Sequence, residues 1–86
     1  MSQVKTTKDV RDELTAIALA LRPTDSDAAR QIDALHNTFY TTTTEYLVEA
    51  LGVIQELQRR ATVRQTSLES RLRALEQSTR TLADLR

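Results

Sequence analysis

His36 is the one histidine in the chain, and there is no cysteine, so the side chains that most often bind metals or move protons are scarce. Asp33 stands three residues earlier and would share a helical face with it. One imidazole and one carboxylate still fall short of the ligand set of a zinc site, so His36 reads as a structural or solvent-facing residue. No nucleophile motif, phosphate-cradling glycine loop or His-Glu-x-x-His pair occurs. The lone Gly52 reads as a tolerated small residue or, with Ala50, as a point of close helix approach. These residues predict a non-catalytic protein with no metal and no cofactor.

The denser group of functional side chains is basic. Arg59, Arg60, Arg64, Arg71 and Arg73 are opposed only by Glu69 between residues 59 and 73, and two copies side by side would double them into a field able to contact phosphate. Against that, solvated Arg and Glu are ordinary on the outside of a coiled coil, and no aromatic residue follows Tyr46 to stack a base. The 12 basic and 12 acidic residues cancel, which argues against a surface built as a whole for nucleic acid or an acidic membrane. A small nucleic-acid-binding regulator using these arginines is therefore the alternative reading. Phe39, Tyr40 and Tyr46 gather every aromatic residue into eight positions. They read first as core, and second as an anchor for a partner.

The elements that must position these groups are helical. Val10, Leu14, Ile17 and Leu21 recur at steps of four and three, marking a first amphipathic helix that Pro23 should end at about residue 22. Thr24-Asp25-Ser26-Asp27 offers N-caps for a second, whose stripe is Ala28, Ile32, Leu35 and Phe39. A connection this short predicts an antiparallel αα-hairpin. At Thr41–Thr44 the sequence is ambiguous: four β-branched residues disfavour a helix, and Thr42 with Glu45 fits a capping box. The stripe Phe39, Thr43, Tyr46, Ala50, Val53, Leu57 nevertheless runs through in phase, so the expectation is a continuous helix from about 26 to 85.

From Thr44 onward a heptad seam passes through Leu47, Leu51, Ile54, Ala61, Leu68, Leu72, Leu75 and Leu82, the spacing that keeps one stripe against a partner helix. Gln58, Ala61 and Gln65 make its middle small and polar. Tyr46, Val48, Ala50, Val53 and Leu57 widen the apolar face between 46 and 57, as expected where several helices meet. With Leu51 at an a position, Arg64 would face Glu69, and Arg71 would face Glu76, of a parallel partner. These eight seam residues are the expected partner interface.

The sequence thus predicts an all-α protein: a flexible segment over 1–7, a helical hairpin and bundle region over 8–57, and a coiled-coil stem over 58–86 forming a long C-terminal helix. It would associate with protein helices, as a parallel homodimer or within a hetero-oligomer, and serve as an oligomerisation, scaffold or adaptor subunit of a larger complex. In proportions it is similar to small helical subunits of cytoskeletal, vesicle-tethering or kinetochore assemblies, a likeness of shape and not of motif. A secreted helical-hairpin effector is a further alternative, although Arg22-Pro23-Thr24-Asp25 lacks the Trp-x-Gly turn of the best-known such family. The longest apolar run, Ala16 to Leu21, is too short to span a bilayer, and the expected location is soluble and intracellular, cytoplasmic or nuclear.

Overall fold

The computed structural model describes residues 6–41, 43–61 and 66–84. Among them the chain forms four helices and no strand: α1 Thr7–Leu21, α2 Ser26–Thr38, α3 Thr44–Ala61 and α4 Thr66–Asp84. α1 begins on a reciprocal cap. The Thr6 hydroxyl accepts from the Asp9 amide at 3.2 Å, and the Asp9 carboxylate accepts from the Thr6 amide at 3.1 Å, which satisfies two otherwise free donors. The helix ends before Pro23, as the sequence predicts. Asp25 then caps α2 by accepting from the Ala28 amide at 3.2 Å.

The expected continuous helix through Thr41–Thr44 does not form. α2 stops at Thr38, Phe39 is extended (φ −116°, ψ 101°), and the Thr43 hydroxyl accepts from the Tyr46 amide at the start of α3. Threonine is a weak helix former and a good cap, so a reversal here costs little and lets α3 bury Tyr46, Ala50, Ile54 and Leu57. A straight helix over 26–85 would be about 90 Å long. The fold measures 35 × 24 × 21 Å. The capping box expected between Thr42 and Glu45 lies outside the described residues, because Thr42 does.

Side-chain bonds show the helix directions. His36 near the end of α2 meets Tyr46 near the start of α3, and Arg60 at the far end of α3 returns to Asp25 at the start of α2. Gln58 reaches Glu76 across α3 and α4, and Arg71 reaches Glu13 across α4 and α1. Each helix therefore runs against its neighbours in sequence, and α4 closes the ring on α1, an up-down-up-down four-helix bundle. Its core is aliphatic: Leu14, Ile17, Ile32, Ile54, Leu57, Leu72 and Leu75 are fully buried. Each such side chain contributes about 1.5–3 kcal/mol over an exposed one, against about 0.2–1 kcal/mol for a surface ion pair, so the core decides stability. Among the described residues no helix is long and apolar enough to cross a membrane.

Candidate interaction surface

The seam expected to meet a partner is occupied from within the chain. Leu47, Ile54, Ala61, Leu68, Leu72 and Leu75 are 0–6% exposed, and Leu51 and Leu82 are partly buried. Because α4 folds back antiparallel to α3, the two halves of the seam face the same interior. The middle of the seam is polar for a local reason: the Gln58 amide donates to the Glu76 carboxylate at 2.7 Å and to the Leu72 carbonyl at 3.4 Å. Gln65 lies outside the described residues.

The basic cluster is dispersed and matched. Arg60 binds Asp25 through two bonds of 2.9 Å, and Arg59 holds Glu56 at 2.6 Å. Arg71 reaches Glu13 at 3.2 Å and Arg73 reaches Glu69 at 3.4 Å. Arg64, with its expected partnership to Glu69, is outside the described residues; Glu76, expected opposite Arg71, is held instead by Gln58 and Arg80. Hydrogen bonds from Arg59 lower the Glu56 pKa, and those from Arg80 and Gln58 lower that of Glu76. Four of the five arginines are thus already neutralised by carboxylates of their own chain. A small pocket of about 320 Å³ is floored by Leu21, Leu57 and Leu68 and edged by Arg60 and Asp25, which are engaged with each other.

The aromatic residues are drawn together by Arg11, a residue with no distinguishing local sequence signal. Its guanidinium donates to the Phe39 carbonyl at 2.7 Å and the His36 carbonyl at 3.3 Å, satisfying acceptors that the last turn of α2 leaves free. The same group lies 5.9 Å from the centre of the Tyr46 ring, within cation–π range. Tyr46 is 0% exposed, and its hydroxyl sits 3.0 Å from His36 Nε2. Burial pushes the Tyr46 pKa up to about 12, partly opposed by Arg11. Burial, aided by Arg11 and opposed by Asp33, holds the His36 pKa below its usual value, so both rings are neutral at pH 7. This corner is a structural clamp, in keeping with the reading of His36 as structural.

The clamp holds Phe39 edge-on to Tyr46, ring centres 6.2 Å apart, at the junction of two open depressions between α2 and α3. One, of about 440 Å³, runs past Val48 and Glu45, and the other, of about 590 Å³, past Leu35 and Val53. Phe39 and Glu49 line both, so they form one groove. Val48 is 56% exposed, and Tyr40, next to Phe39 in sequence, is 83% exposed. No protein-family model, no curated protein and no solved structure matches the chain. What the groove offers must therefore be taken from its own chemistry: an apolar floor, a carboxylate rim and no cationic residue in its lining.

Of these groove residues the sequence marks Phe39 as a possible anchor. Val48 reads there as part of a buried face, whereas the structure turns it outward. Glu45 reads there only as a capping partner of Thr42, and nothing local separates Glu49 from Glu56 or Glu69. Gly52 is exposed, and nothing lies within 4 Å of where its Cβ would be. Close helix approach is thus not its role.

Proposed function

We propose that the chain is a non-catalytic protein–protein interaction module, an adaptor subunit of a larger assembly that works by helix-on-helix recognition. The observation supporting this most is the α2–α3 groove: Phe39, Val48 and Val53 line an open apolar trough beside a core that the chain completes by itself. A groove between two helices suits a third. The adaptor role is better supported than oligomerisation through the heptad seam, since a partner's helix would have to replace contacts that Leu68, Leu72 and Leu75 already make. Nucleic-acid binding loses its electrostatic basis where Arg59, Arg60, Arg71 and Arg73 are paired.

Selection from a displayed library of helical peptides on the immobilised chain tests the proposal. Enrichment of peptides that bind the folded chain and are lost on Val48→Asp is the expected result. Failure to enrich any helix for the folded chain overturns it.

A further inference from the structure

Resting on the interaction-module reading, we infer that the occupant of the α2–α3 groove is a basic amphipathic helix of another protein, with apolar anchors on Phe39, Val48 and Val53 and Lys or Arg residues facing Glu45 and Glu49. The charge pattern carries this. Every described arginine and Lys8 is engaged, Arg11 by backbone carbonyls and the others by carboxylates. Among the described carboxylates, only Glu45, Glu49 and Asp84 have no hydrogen-bond or ion-pair partner. Two of those three stand on the rim of the apolar groove between α2 and α3.

Their placement on α3 sharpens the point. Glu45 lies in the first turn, where the helix end favours a negative charge, but Glu49 is a turn further on and gains little from it. Four residues apart, the two carboxylates repel each other, and no cation among the described residues relieves them. A ligand's ammonium or guanidinium groups would.

Shape and sign together select among occupants. From Glu45 to Val53 the groove follows α3 for about 12 Å, the distance over which a docked helix places anchors at i, i+4 and i+7. A second copy of this chain offers no basic face from its described residues, because its cations are already paired. Nucleic acid and anionic lipid carry the wrong sign for this rim.

The probe is a short synthetic helix with Leu at anchor spacing and Lys on its flanks, beside a counterpart carrying Glu in place of Lys, each titrated with the full chain by fluorescence anisotropy at low and high salt. The basic helix is expected to bind, to weaken with salt, and to exceed the acidic one by about tenfold or more. Glu45→Lys with Glu49→Lys should exchange that preference, and Glu49→Lys alone, which leaves the first turn of α3 intact, should narrow it. Circular dichroism checks that each variant keeps its helices. Equal binding of the basic helix by the charge-reversed chain, or none by the natural one, overturns the inference. If the peptide selection instead enriches helices with neutral or acidic flanks, the charge assignment fails while the interaction module stands; if no helix binds, both fail.

Discussion

The α1–α4 side of the bundle and the Phe39 end of the α2–α3 side use charge in opposite ways. Across the first, Glu13 of α1 and Arg71 of α4 join at 3.2 Å, and along α4 Arg73 meets Glu69 and Arg80 meets Glu76. Across the α2–α3 side, Arg60 of α3 holds Asp25 at the start of α2, but at the opposite end Glu45 and Glu49 meet no cation among the described residues and Val48 is left in solvent. Single surface ion pairs contribute little to stability, so the difference says less about what holds the fold together than about which face is satisfied by its own chain. One side is closed by its own side chains, and the other is left, at its Phe39 end, with an apolar floor and a like-charged rim.

Core truncation should separate the two sides most widely. Leu72→Ala removes a fully buried side chain from α4 and should cost about 2–5 kcal/mol, a large part of the roughly 5–15 kcal/mol that a domain has to lose. Val48→Ala on the open face should stay within about 0.5 kcal/mol. Denaturant unfolding of both measures the gap, and similar losses would erase the distinction between a closed and an open face. Next comes the clamp: Tyr46→Phe keeps the ring but breaks the contact with His36, and should cost about 1 kcal/mol. No loss in the same assay would make the clamp incidental to the groove it supports.

Gly52→Ala should act in the other direction. At an exposed helical position with open space for a Cβ, alanine should add about 0.5–1 kcal/mol; a loss of stability would mean that Gly52 is closely packed after all. The smallest expected effect is a dependence on pH. The folded-state pKa of His36 is depressed, so its contribution to stability is present above the ordinary histidine value of about 6.5 and is lost as pH falls through the lower folded value. His36→Gln should flatten unfolding free energy against pH in that window, while Glu56 and Glu76, also depressed, act at more acidic pH. An unchanged slope would remove His36 from the clamp.

Much of the fold was legible in the sequence. The stripes of all four helices, the turn at Pro23 and a cap within Thr24–Asp27, which Asp25 supplies, follow from local spacing and backbone chemistry. What could not be read is whether an apolar stripe is covered by another chain or by its own. A period shows which face is apolar, and it continues in phase across a reversal as readily as along a straight helix. That is why Phe39 through Leu57 suggested continuity where the chain turns, and why Leu68, Leu72 and Leu75 suggested a partner where α4 packs against α1 and α3. The candidate surface was less visible still. Arg60 finds Asp25 across 35 residues of sequence, and Glu45 and Glu49 stand out only once the other charges have been matched in space.

The most direct test of the account is amide chemical-shift mapping of the isotope-labelled chain during titration with the basic helix. The account predicts saturable shifts confined to the end of α2 and the first half of α3, around residues 34–39 and 45–53, with the α1–α4 side undisturbed. Shifts centred on α4, or a collapse of the spectrum as the leucine seam opens to receive the peptide, would contradict it.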